Sequence, residues 1–119
     1  MEGVVVMKYH NQKTTIDNIK FDSNAEAKMY LILKSLERAN HISDLKLQVP
    51  FVLIEGYKDL KGKKVRDIVY VADFTFYDEE KKSFRVLDCK GMKTQVFLIK
   101  EKIFNKIMKD QGVYLEYNI

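Results

Sequence analysis

Apolar and polar positions change period several times along the chain, and each change marks an element boundary. A helical pattern opens at Phe21-Asp22-Ser23, where Ser23 can cap backbone N–H groups and Glu26, three residues on, can reach back as a capping box. Ala25, Met29, Ile32, Leu33 and Leu36 then share one stripe, with Lys28, Lys34, Glu37 and Arg38 away from it, which predicts a helix to about Asn40 with that stripe in the core. Asp44 to Gln48 and Phe51 to Tyr57 read as two extended pieces, broken or edged by Pro50. Asp67 to Tyr77 is the strongest strand, Asp78 to Lys82 a turn, and Ser83 to Lys90 its partner, ended by Gly91. Thr94 can cap a second helix to about Lys109, with Val96, Phe97, Ile103, Phe104 and Ile107 as its stripe; Gly112 stops it, and Val113 to Ile119 reads as a last strand. The order is α, β, β, β, α, β over residues 21–119, preceded by residues 1–20 as an N-terminal arm or edge strand. This predicts a single α/β domain whose mixed sheet is flanked by helices.

At 119 residues, 46% hydrophobic and 32% charged, the chain has material for one core and reads as a soluble domain. Its apolar run Val4 to Met7 is far shorter than a membrane span needs, so no membrane association and a cytoplasmic location are expected. Cys89 is the single cysteine and His10 and His41, both read as surface residues, are the two histidines, which excludes an intramolecular disulfide and leaves no zinc site of Cys/His type. Any metal must be held mainly by oxygen. The net charge of +4 is compatible with a polyanionic partner. The basic residues concentrate locally: Lys58, Lys61, Lys63, Lys64 and Arg66 surround Gly62 with Asp59 as the one acid, which is either a solvated hairpin tip or a phosphate-contacting loop.

Several polar residues interrupt the apolar pattern. Strand alternation puts Val69, Val71, Asp73, Thr75 and Tyr77 on one face of the central strand and Tyr70, Ala72, Phe74 and Phe76 on the other. On the partner strand Phe84, Val86, Asp88 and Lys90 share a face, and the short turn between the strands brings residue 73 near residue 88. Two neighbouring carboxylates repel unless a cation lies between them, and hard ions such as Mg²⁺ or Mn²⁺ prefer these oxygens. Lys90 beside them can hold or polarise a water and stabilise charge on a phosphate. This is the logic of a metal-dependent phosphodiesterase. Bland readings stand beside it. Asp73 can hydrogen-bond to a loop, and Glu26 can serve only its capping box, although it lies about 80° from the middle of the stripe and can face the same cleft. Cys89 reads as a small buried filler whose carbonyl can reach a metal. Lys100 falls in the middle of the second stripe, where it either snorkels or reaches a carboxylate or the scissile phosphate.

Taken together, Glu26, Tyr70-Val71-Ala72-Asp73-Phe74 and Asp88-Cys89-Lys90-Gly91 with Lys93-Thr94 resemble the PD-(D/E)xK nuclease superfamily. More specifically, with Lys8-Tyr9-His10-Asn11, Ile19 to Ala27, Leu47-Gln48 and Pro50-Phe51, the chain is similar to short phage and prophage proteins of unknown function related to Holliday-junction resolvases. Ala72 stands where the superfamily has Pro, and Asn18 where the phage group tends to have Gly. The resemblance implies a restriction-endonuclease-like αβββαβ core. It implies metal binding by Asp73 and Asp88 with Glu26 completing the acidic set, and Lys90 acting on the attacking water. It also implies a homodimer, since two symmetric cuts need two sites, with Val4 to Met7 as a candidate contact. The function it implies is a Mg²⁺-dependent DNA endonuclease, structure-selective for branched DNA in phage recombination, repair or packaging, with Lys58, Lys61, Lys63, Lys64, Arg66 and Lys93 on the nucleic acid. The alternative is a non-catalytic nucleic-acid-binding protein on the same fold, and a third reading makes Asp73, Asp88 and Lys90 an ion-pair cluster of a structural phage protein.

Overall fold

The structure, a computed structural model, describes residues 13–119. Residues 1–12, with Val4 to Met7 and His10, lie outside it. A hairpin of β1 (Thr14–Ile16) and β2 (Ile19–Phe21) comes first, and its turn holds Asp17 and Asn18 at φ 54° and 65°. That left-handed pair matches the twist of antiparallel strands, and Asn and Asp tolerate it. Residues 14–21 pair with each other and are not an edge strand of the larger sheet.

Ser23 caps α1 (Asn24–Arg38) as expected, its Oγ accepting the Glu26 N–H at 3.1 Å. The buried stripe is not the expected one. Ala27, Tyr30 and Leu33 are buried and Met29 and Leu36 partly so, whereas Ala25 and Ile32 face solvent. Tyr30 sets the roll: its ring packs against Phe21 at 5.1 Å and its hydroxyl donates to Asp17 Oδ2 at 2.7 Å. Burying a large aromatic that also has a polar partner outweighs burying Ile32. Glu26, about 40° from Tyr30 around the helix, is thereby turned toward the sheet.

The expected pieces 44–48 and 51–57 are largely one strand, β3 (Ile42–Ile54), with Pro50 inside it. β3 is an edge strand, so the missing proline N–H costs no ladder bond. A second hairpin, β4 (Tyr57–Lys58) and β5 (Lys64–Val65), leads into β6 (Ile68–Asp78), followed by β7 (Ser83–Leu87), α2 (Gln95–Met108) and β8 (Leu115–Glu116). The main sheet has the order β3-β6-β7-β8, antiparallel except that β8 runs parallel to β7, so this is an α/β domain with a mixed sheet. α1 packs on one face against Phe74, Phe76 and Leu87, and α2 on the other against Tyr70, Ala72, Val86 and Leu115. Thr94 caps α2, accepting the Phe97 N–H at 3.1 Å. Phe97 and Phe104, two turns apart, set its buried face, and the expected stripe members Val96 and Ile107 are exposed. Among the described residues no helix is long and apolar enough to cross a membrane.

The strict alternation expected along β6 fails at Asp73. Tyr70 and Ala72 point to the α2 side but Phe74 and Phe76 to the α1 side. β3 makes the same change: Leu47 packs with the α1 cluster, Phe51 and Leu53 with the α2 cluster. Between them Gln48, opposite Asp73 in the register, takes φ 53°. A left-handed residue in an extended strand reverses which face the following side chains occupy, and it is strained unless its surroundings hold it.

A buried ion triad ties three adjacent strands, β6, β7 and the edge strand β8, together. Arg85 on β7, its side chain 7% exposed, binds Asp78 of β6 at 3.1 Å and Glu116 of β8 at 2.6 Å, with its guanidinium over the Phe76 ring.

Candidate functional site

β6 pairs with β7 only from Phe74 to Asp78, and β7 stops at Leu87 where the pattern predicts a strand to Lys90. The next rung would join Asp73 to Asp88. Instead the Asp73 carboxylate takes the place of a backbone carbonyl, its Oδ2 accepting the Cys89 N–H at 2.8 Å, while the Asp88 N–H turns to the Glu116 carbonyl at 2.9 Å. A short acidic side chain competes well for such backbone donors. The strands therefore part with one acid on each side of the opening.

Other groups close around these two. Gln48 Nε2 donates to Glu26 Oε2 at 3.0 Å and to Asp73 Oδ1 at 3.3 Å, so one strained residue bridges the α1 acid and the β6 acid. Tyr70, whose ring lies on the α2 side, donates its hydroxyl to Asp88 Oδ2 at 2.5 Å. Lys90 Nζ stands 3.7 Å from Asp88 Oδ1 and 5.1 Å from the centre of the Phe97 ring. Asp88 is 1% exposed, and its Oδ1 is buried without a hydrogen-bond partner among the described residues.

The electrostatics follow from this crowding. Burial first, then the negative charge of Asp73, pushes the Glu26 carboxyl up to about 7. Burial, then the neighbouring Asp73 carboxylate, pushes Asp88 up to about 7, with the Tyr70 hydroxyl and the Lys90 charge pulling the other way. Burial and the surrounding acids push the Cys89 thiol up to about 12, which makes it an inert filler rather than a thiolate ligand. Both carboxyls are raised from about 4, so the stability they lend is complete below that pH and is lost as the pH rises through about 7. The melting temperature in EDTA is expected to fall between pH 5 and pH 8. Asp88→Asn should flatten that slope, and an unchanged slope in that variant would refute the coupling.

Among the described residues no three His, Cys, Asp or Glu side chains form a ready-made metal cage. Gln48, Tyr70 and the Cys89 N–H hold the acid oxygens one by one. The donor set nevertheless suits a hard divalent ion. It is carboxylate oxygen throughout, and the buried Oδ1 of Asp88, which makes no hydrogen bond among the described residues, has the Lys90 ammonium at 3.7 Å to offset its charge and room in its oxygen shell for a metal ion.

Of the residues singled out in the sequence, Glu26, Asp73, Asp88 and Lys90 come together, with Cys89 between the last two. Lys100 stands apart, in a mainly apolar groove of about 370 Å³ with Ile68, Val69, Val96, Ile99 and Ile103, and among the described residues it makes no ion pair. Lys58, Lys61, Lys63, Lys64 and Arg66 are exposed on the β4–β5 hairpin, whose turn is held by Asp59 accepting the Lys61 and Lys63 N–H groups at 2.9 Å. Lys93 is exposed, its ammonium 3.8 Å above the Tyr117 ring. The pattern does not single out Tyr70, and Gln48, which the resemblance matches, has no role assigned by it. The one clue was polar groups on residues bordering Asp73 in strand or register.

No curated protein and no solved structure matches the chain. A family model described as "Protein of unknown function (DUF1064)" matches residues 6–117. The chain therefore belongs to the DUF1064 family.

Proposed function

We propose that this protein is a metal-dependent DNA endonuclease on a restriction-endonuclease-like core of PD-(D/E)xK type. One observation carries the reading: the buried, unpartnered Oδ1 of Asp88 lies beside Lys90 at the opening that Asp73 borders, with Glu26 held to Asp73 through Gln48. Asp73 and Asp88 would hold Mg²⁺ or Mn²⁺, with the Cys89 carbonyl and Glu26 completing the oxygen set. When bound, the ion supplies Lewis-acid stabilisation of the charge developing on the phosphate. Lys90 holds the attacking water at the phosphorus. The water oxygen bonds to phosphorus and gives up a proton to solvent, the bond to the 3′ oxygen breaks, and that oxygen takes a proton from solvent, leaving 5′-phosphate and 3′-hydroxyl ends. Phe97 beneath the Lys90 ammonium keeps it close to Asp88.

The test is incubation with four-way junction, flap and linear DNA, in Mg²⁺ and in EDTA. Cleavage of branched DNA that EDTA abolishes is expected; no cleavage of any DNA in Mg²⁺ or Mn²⁺ would overturn the proposal. A homodimer belongs to the same reading and is checked by sedimentation with and without DNA.

The exposed β4–β5 hairpin supports binding of nucleic acid through phosphates, and by itself would also suit a protein that binds without cutting. Replacing Lys61, Lys63 and Lys64 together by Ala is expected to weaken DNA binding uniformly across sequences. On duplex DNA it should lower the slope of log affinity against log salt by roughly 0.9 for each phosphate that is no longer neutralised. An unchanged slope would remove the hairpin from the interface.

A further inference from the structure

Tyr70 is held more tightly than packing alone requires. Its ring, 3% exposed, is caged by Phe104 at 5.3 Å, Phe97 at 6.2 Å and Phe51 at 6.3 Å, so the hydroxyl has one place to go. That place is Asp88 Oδ2, at 2.5 Å. The terminal torsion of an aspartate is broad, and an unrestrained carboxylate exchanges its two oxygens freely. With Oδ2 tied down, the oxygen beside Lys90 is Oδ1, which among the described residues is the one buried side-chain oxygen with no hydrogen-bond partner.

We propose that Tyr70 is a positioning residue for the divalent-cation site: by clamping Oδ2 it presents Asp88 Oδ1 to the cation. This rests on the reading of Asp73 and Asp88 as metal ligands. The face change at Asp73 is what makes it possible, because it sends Tyr70 to the α2 side, where its hydroxyl meets Asp88 at the parting of β6 and β7. A tyrosine present only to fill the α2 core would have a hydroxyl indifferent to metal.

Tyr70→Phe keeps the caged ring and removes only the clamp. Titration calorimetry of the full chain with Mn²⁺, without DNA, is expected to show roughly tenfold weaker binding in this variant, the scale on which groups supporting metal ligands act. In an Asp88→Asn background the same change should have no further effect. In the unaltered protein, the Tyr70 hydroxyl proton should exchange slowly and its NMR resonance should move on addition of Mg²⁺. Wild-type Mn²⁺ affinity in Tyr70→Phe, an equal loss in the Asp88→Asn background, or a hydroxyl resonance indifferent to Mg²⁺ would overturn the inference. Asp73→Asn and Asp88→Asn separate its failure from that of the site. If both lose Mn²⁺ while Tyr70→Phe binds normally, only the role of Tyr70 falls; if both bind as the wild type does, the metal site falls and the inference with it.

Discussion

Asp88→Asn is expected to leave branched DNA uncut in Mg²⁺, a loss of at least about a thousandfold in rate, while the protein stays folded. The substitution keeps the shape of a side chain that is 1% exposed, and its amide oxygen can still accept the Tyr70 hydroxyl. What it removes is the charge on Oδ1, the oxygen that faces Lys90 and makes no hydrogen bond among the described residues. Above pH 7 the metal-free variant should melt at a higher temperature than the wild type. Burial and the neighbouring Asp73 make the ionised Asp88 unfavourable when no cation is present. Gain of stability with loss of cleavage marks a residue kept for chemistry and not for the fold. Asp73→Asn should lose cleavage as well but gain less stability, because Asp73 also accepts the Cys89 N–H that replaces a ladder bond. Full cleavage by Asp88→Asn, measured on the same DNA and ion, would sink the assignment of the site.

Arg85→Met should have the largest effect on stability, about 3–5 kcal/mol in denaturant unfolding. The methionine fills much of the same space, so the cost comes from the charges left behind. Asp78 and Glu116 would then face each other across β7 without the guanidinium that binds both. Hydrogen bonds from the Lys81 and Glu80 N–H groups and from Arg85 hold the Asp78 carboxyl below its ordinary range, against the effect of burial. Its share of stability is therefore lost only in acid, below the range in which Glu26 and Asp88 act. Adding Asp78→Asn to Arg85→Met should recover part of the loss. No recovery would mean that the Arg85 guanidinium stacked over Phe76, and not the ion triad, holds the three strands together.

The candidate site was legible to different depths. Asp73, Asp88 and Lys90 announce themselves because acids and a lysine interrupt apolar strands at two-residue spacing, and the antiparallel index sum brings residues 73 and 88 together. The observed rungs, Tyr77 to Phe84 and Phe74 to Leu87, keep that sum. Glu26 was legible as a cap and ambiguous as a site residue, because its orientation depends on the roll of α1. Tyr70 and Gln48 were not legible as site residues. One hides among apolar strand positions, and the other acquires its direction from a left-handed backbone that no local pattern marks.

Local chemistry was enough for the order of the core elements, the caps at Ser23 and Thr94, the basic hairpin and the stop at Gly112. Each depends on a residue and its near neighbours along the chain, where propensity and hydrogen-bond geometry act directly. Packing between distant segments decided the rest. Tyr30 rolled α1 onto Phe21 and Asp17, and of the expected α2 stripe Phe97 and Phe104 are buried while Val96 and Ile107 face solvent. Gln48 and Asp73 reversed their strands at one level of the sheet. Period-2 and period-3.6 patterns assume that an element keeps one face to one core. This sheet has a core on each side and changes which one its strands serve at the level of Asp73, so the face reversal and the Tyr70 clamp appear only when the strands are laid side by side.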